Sequence, residues 1–140
     1  MKFKYFDHTA DIIFEAYGKS MEEVFENSAL ALEEIMVKTS SISLKKKHPI
    51  KLEADNIENL LYDFLSELIF LKDADGLLFK KFKVSIKEVK KKFILNANCE
   101  GDLINREKHD LLCDAKAITK HLFEIKKIKD KFTARILVDI

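Results

Sequence analysis

The sequence predicts an α+β domain: mostly antiparallel strands in a sandwich-like arrangement with two amphipathic helices. Three observations carry this. Two segments repeat apolar residues at helical spacing, and most of the remainder alternates with a period of two. Three glycines and one proline in 140 residues leave little room for elaborate loops. The length suits one domain, 1–140, with a core large enough to need no staples.

The elements follow in order. Residues 3–6 read as a short strand, 7–10 as a polar loop, and 11–17 as a second strand ending near Gly18. Ser20 and Glu23 form a capping box, with Ser20 as N-cap. Val24, Phe25, Ala29, Leu32, Ile35 and Met36 then recur at helical spacing, predicting a helix over 21–37. Residues 41–53 read as two short strands, or one with an irregular middle at 45–49. Asp55 and Glu58 give a second cap-like start. Ile57, Leu60, Leu61, Phe64, Leu65, Leu68 and Ile69 form the broad apolar face of a helix over 56–72. From Phe82 the period changes to two, and 79–100 reads as a hairpin turning at Lys90-Lys91-Lys92. Residues 101–113 look irregular. A final hairpin, 116–126 and 131–138, turns at Lys129-Asp130-Lys131, with Phe132, Ala134, Ile136 and Val138 facing inward.

Composition excludes several classes. An apolar fraction of 47% is not that of a largely disordered chain. Eleven Phe and no Trp predict a core of Phe, Leu and Ile. Gly18, Gly76 and Gly101 are too dispersed for a phosphate-cradling loop. Cys99 and Cys113 lack metal-ligand spacing and are expected to be free thiols in a reducing compartment. The start has charge but no apolar signal core, and no apolar run approaches the ~20 residues of a membrane span. The expectation is a soluble cytoplasmic protein with no membrane partner.

Charge is balanced, with Lys+Arg 25 against Asp+Glu 24, so net charge gives no support for nucleic-acid binding. Its distribution is uneven. Residues 80–92 hold seven Lys and one Glu, whereas 53–75 hold seven acids and one Lys. A basic side and an acidic side favour oriented docking to a partner.

The chemistry is expected at the two ends. If the first and last strands lie side by side, Asp11, Asp139 and the α-carboxylate of Ile140 converge. Three carboxylates that close need a cation, and hard oxygen donors suit Ca²⁺, Mg²⁺ or Mn²⁺. On spacing alone, Asp11 also reads as a loop residue capping its own backbone. Asp139 also reads as a charged, frayed end. No Ser nucleophile motif, zinc-spaced His/Cys pair or oriented carboxylate pair is present, which favours a non-enzymatic helper.

Four segments, taken together, resemble the archease family, the protein cofactors of RtcB-type tRNA-splicing ligases. They are H-T-A-D-I at 8–12, the acidic-aliphatic helix motif at 55–61 with its L-x-E-L continuation at 65–68, K-A-I-T-x-H at 116–121, and the closing Asp139-Ile140. Their order and spacing cover essentially the whole chain. Lys120 stands where the family commonly has an aromatic, Asp114-Ala115 replaces the usual acidic-aliphatic lead-in, and Ile13 stands where a Gly often follows the first motif.

The resemblance implies a metal site at Asp11, Asp139 and Ile140 holding a divalent ion, Ca²⁺ first, with Mg²⁺ or Mn²⁺ as alternatives. It implies that Lys116 is needed to activate the ligase. His8 and His121 are secondary candidates, with His8 as a donor orienting Asp11. The implied partner joins RNA ends bearing a 2′,3′-cyclic phosphate or 3′-phosphate to a 5′-hydroxyl, through a guanylylated histidine with Mn²⁺ and GTP. The chain would speed guanylylation and allow multiple turnover, touching GTP and tRNA only through the ligase. Three rivals stand beside this: a general chaperone or RNA-modification helper, an RNA-binding module using the lysines at 80–92, and a stand-alone metal-dependent hydrolase.

Overall fold

A computed structural model describes residues 1–8 and 11–140, with the side chains of Asp7 and His8 outside that description. The expectation of a polar loop over 7–10 therefore lies partly outside the described residues. The backbone of Asp7 and His8 belongs to the first strand.

The described residues form seven strands and two α-helices. The strands are β1 (Phe3–His8), β2 (Asp11–Gly18), β3 (Lys46–Ala54), β4 (Leu77–Val89), β5 (Lys92–Leu103), β6 (Ala117–Ile128) and β7 (Lys131–Asp139). The helices are α1 (Met21–Met36) and α2 (Ile57–Asp75). A four-stranded sheet runs β1-β2-β7-β6 and a three-stranded sheet runs β3-β5-β4. Every pairing is antiparallel. The predicted fold class holds.

Of the two readings offered for 41–53, the single strand is the one that forms. The chain makes a 3-10 turn at Thr39–Ser41 and then one continuous strand, β3, which runs through Pro49. Proline lacks a donor and survives in a sheet only where a neighbour is missing; β3 is an edge strand bonded to β5 alone. The irregular middle expected over 45–49 does not interrupt the strand, because the edge position removes the cost of Pro49.

Both helices start at a side-chain cap. The Ser20 hydroxyl accepts from the Glu23 N–H at 3.1 Å, as predicted. For α2 the cap is Asn56, whose Oδ1 accepts from the Asn59 N–H at 2.8 Å, and not Asp55. The helix also runs to Asp75, three residues further than predicted. It stops at Gly76, whose φ of 65° is the left-handed turn a side chain resists.

Helix α1 is buried on almost every side, including Val24, Phe25, Ala29, Ala31, Leu32, Ile35 and Met36. It packs on β2 and β7 and lies along β4. Its second role there is chemical. Strand β4 is an edge, so part of its backbone has no partner strand. Glu26 Oε2 accepts from the Val84 N–H at 2.9 Å, and Glu33 Oε1 accepts from the Phe79 N–H at 3.1 Å. Two glutamates two helical turns apart thus cap the sheet edge. Helix α2 packs on all three strands of the smaller sheet and on β6. Phe14, Phe25, Phe64 and Phe79 are completely buried, in line with the Phe-rich core expected.

Candidate functional site

The four-stranded sheet is closed by its two chain ends. Strand β7 lies between β2 and β6, so the last strand joins the second, not the first as the sequence suggested; Asp11 still meets Asp139 because it stands on the second strand. In that register Asp11 is directly opposite Asp139, Ile12 opposite Val138, and Ile13 opposite Leu137. Residues opposite each other in an antiparallel pair share a face and stand about 5 Å apart. The expected meeting of Asp11 and Asp139 is thus set by strand pairing. Both residues are half-buried.

On the other side of β7, Asp139 pairs with Ala117. The Lys116 N–H donates to the Asp139 carbonyl at 2.8 Å. Lys116 is exposed and begins the run into β6. Ile140 is half-buried, with its side chain packed against the core, so this end is anchored. The backbone therefore gathers Asp11, Lys116, Asp139 and Ile140 at one end of one sheet.

Like charges directly opposite on adjacent strands repel. Two facing aspartates offer hard oxygen donors. Among the described residues, no group of three or more His, Cys, Asp or Glu side chains is arranged to hold a metal ion. The facing pair supplies two such side chains.

The other sequence candidates are placed as follows. The His8 backbone pairs with that of Asp11, and its side chain lies outside the described residues. His121 is exposed and sits where the β6–β7 register breaks, between Thr119 and Glu124. Leu122 takes a left-handed φ of 59° in that break, and its carbonyl accepts from Arg135 Nε at 2.8 Å. Lys120 places its ammonium 4.9 Å from the Tyr62 ring centroid, a cation–π contact. The Thr119 hydroxyl is buried without a hydrogen-bond partner among the described residues.

Sequence reasoning missed the cluster that holds Lys116 in place. Lys72, at the end of α2, is buried and reaches Asp114 at 2.5 Å, Asp73 at 2.6 Å and the Ala115 carbonyl at 2.9 Å. Ala115 is fully buried, so Lys72 pins the backbone immediately before Lys116. Burial works against its charge, but the bonds to Asp114 and Asp73 outweigh burial and raise its pKa. A signal existed: Lys72 lies four residues after Leu68, on the apolar stripe of α2, where a lysine needs a reason. Glu33 sits the same way, four residues after Ala29. It is fully buried, and burial raises its pKa to about 8 against the opposing pull of the Phe79 N–H and Lys72. Burial, then the Glu33 charge, pushes the nearby Cys99 thiol up to about 12, so Cys99 is an inert, buried free thiol.

Comparison with known proteins agrees with this architecture. The chain is of the kind described as the Archease protein family (MTH1598/TM1083), whose sequence model matches residues 3–140. Proteins named archease match over nearly their whole length: 42% identical over 139 residues in Sulfolobus acidocaldarius and 36% over 140 in Pyrococcus abyssi, each covering 99% of both chains. The solution structure of protein 1598 of Methanobacterium thermoautotrophicum superposes with a TM-score of 0.90 at 38% identity, covering 99% of each chain. A Thermotoga maritima archease structure shares the fold, with a TM-score of 0.63 at 22% identity over 98% of this chain and 96% of that one. This chain belongs to the archease family. No helix of the described residues is long and apolar enough to cross a membrane.

Proposed function

We propose that this protein is a non-catalytic activator of an RtcB-type RNA ligase, acting in the cytoplasm in tRNA splicing. The observation that supports it most is the facing of Asp11 and Asp139 across β2 and β7, with Lys116 bonded to the same Asp139 backbone. A divalent ion, Ca²⁺ first and Mg²⁺ or Mn²⁺ as alternatives, would be held by those two carboxylates and the main-chain carboxylate of Ile140. Such an ion supplies positive charge where nucleotide phosphates and ligase carboxylates must be arranged. Lys116 is the mobile point charge beside it, suited to a phosphate or an acidic ligase residue. The lysine that pins Ala115 keeps it there. At this carboxylate end GTP and tRNA would be met through the ligase.

The test is ligation by a purified RtcB-type ligase with RNA in excess, GTP and Mn²⁺. The expected result is a rise from about one turnover to many when the protein is added, lost in Asp139→Lys with the thermal unfolding curve retained. Stimulation by Asp139→Lys equal to wild type would sink the reading. The rival is a general chaperone or RNA-modification helper, and the Thermotoga maritima relative is described as a possible chaperone. Suppression of aggregation of unrelated enzymes, unaffected by Asp11→Ala and Asp139→Ala, would favour it.

A further inference from the structure

The outward face of the three-stranded sheet sorts charge in a way the net charge hides. Cross-strand rows on that face read Lys47, Glu100, Lys81; then Pro49, Asn98, Lys83; then Lys51, Asn96, Ser85; then Glu53, Ile94, Lys87; with Lys92 opposite Val89 at the tip. The buried residues Ile50, Val84, Leu95, Ala97 and Cys99 lie on the opposite face. Six lysines stand against two glutamates in these rows, a surplus of four positive charges. The chain as a whole carries +1, so the rest of the molecule carries a net charge of +1 − 4 = −3. A generally lysine-rich surface would not give that contrast.

Both glutamates are already matched. Glu100 lies 3.7 Å from Lys47 and 3.8 Å from Lys81, and Glu53 lies 3.8 Å from Lys92. Among the described residues Lys51, Lys83 and Lys87 have no carboxylate within 4.0 Å. Lys47, Lys81, Lys83, Asn98 and Glu100 surround a shallow depression of about 350 Å³.

We propose that this face is a docking surface for the phosphodiester backbone of RNA. Charge complementarity selects a polyanion. A protein partner would need an apolar or aromatic centre to anchor it; here Pro49, Ile94 and the tip residue Val89 are the only apolar side chains in those rows. Without an exposed aromatic the face cannot stack bases, so it holds backbone and is indifferent to sequence. Asn96, Asn98 and Ser85 add donors and acceptors suited to sugar and phosphate oxygens. That the polyanion is RNA rests on the ligase reading above; the face itself is independent of the carboxylate end.

The experiment measures binding of a fluorescein-labelled RNA hairpin to the full chain without ligase, by anisotropy, from 50 to 200 mM salt. The expected result is measurable binding with a log–log salt slope of about −2 or steeper. Affinity falls at least tenfold in the triple variant Lys51→Glu, Lys83→Glu, Lys87→Glu, with an unchanged thermal melt. A charge-matched control, Lys127→Glu, Lys129→Glu, Lys131→Glu, keeps wild-type affinity. No binding by the wild type at 50 mM salt, or equal losses in the two variants, overturns the proposal. So does a triple variant that keeps RNA affinity but loses ligase stimulation, since that makes the face a protein contact. Ligase stimulation by the wild type is read separately, so failure of the one reading is distinct from failure of the other.

Discussion

The two sheets are built by the same alternation, yet they carry opposite chemistry. The four-stranded sheet brings Asp11 and Asp139 together at one end, whereas the three-stranded sheet spreads lysines over one face. The difference lies in how each is closed. The larger sheet is joined through its chain ends, so its chemistry comes from residues far apart in sequence and depends on tertiary register. The smaller sheet is mostly one hairpin, β4–β5, so its chemistry comes from a contiguous run and depends on strand phase. Each sheet also breaks register once, between Thr119 and Glu124 in β6 and between Phe79 and Lys81 in β4. A bulge changes which face a side chain joins. In β4 the bulge at Lys80 turns Lys81, Lys83 and Lys87 outward while Phe79, Phe82 and Val84 all stay on the core side.

The largest way to break the contrast is at Gly101, the residue opposite that bulge. A Cβ there would meet the Leu78 carbonyl oxygen at 1.8 Å and Phe79 Cα at 2.6 Å, both backbone. Neither can yield without moving the strand, so Gly101→Ala should cost about 3 kcal/mol or more. Urea unfolding measures it. A change under about 0.5 kcal/mol, the size of an ordinary surface substitution, would show that the bulge is not held as described.

Next in size is Glu33, which serves the same bulge by accepting the Phe79 N–H. Its folded pKa is raised from 4.5 to about 8, chiefly by burial. Between those values the folded chain keeps a proton that the unfolded chain has released. Its contribution is complete below the lower value and is lost as pH rises toward the upper one. The slope is at most about 1.4 kcal/mol per pH unit. Glu33→Gln keeps an acceptor for Phe79 and removes the titration. Unfolding free energies at pH 5.5 and pH 8 should therefore fall more steeply for the wild type than for the variant; parallel lines would show that Glu33 is already ionised in the folded chain.

How much was legible follows the same division. Both helices, the two hairpins and the alternation of the last strand were readable, because period and caps are local properties. The facing of Asp11 and Asp139 was readable as a condition, since the sequence supplies the residues and only pairing of β2 with β7 supplies the contact. Two features were misread because a neighbour changed the rule: Pro49 is accommodated at an edge, and Asn56 takes the capping role that Asp55 was expected to fill. Lys72 and Glu33 were passed over although each interrupts an apolar stripe. Their partners, Asp114 and the Phe79 N–H, lie more than forty residues away, and nothing local announces them. The bulge was passed over too, although the doubled lysine Lys80-Lys81 between Phe79 and Phe82 is a signal for it: one extra polar residue shifts the phase of an alternating strand.

The smallest effect sharpens the comparison from the turn side. The β4–β5 hairpin turns on two residues, Lys90 and Lys91, with φ of 50° and 67°. Positive φ at both positions is the type I′ geometry that suits the right-handed twist of the strands, and Asn-Gly is the pair that adopts it with least strain. In the β6–β7 turn, by contrast, of Lys129 and Asp130 only Lys129 has a positive φ, 57°. Lysine in the left-handed region costs roughly 1 kcal/mol more than glycine, part of which the greater freedom of glycine in the unfolded chain cancels. Replacing Lys90-Lys91 with Asn-Gly should therefore stabilise the fold by about 0.5 kcal/mol, read as a small rise in the urea midpoint at constant slope. The outward lysines of the three-stranded sheet are untouched by the change, so RNA binding should stay close to wild type. A matching loss of RNA affinity would mean that the tip lysines, and not the face, carry the charge that a polyanion reads.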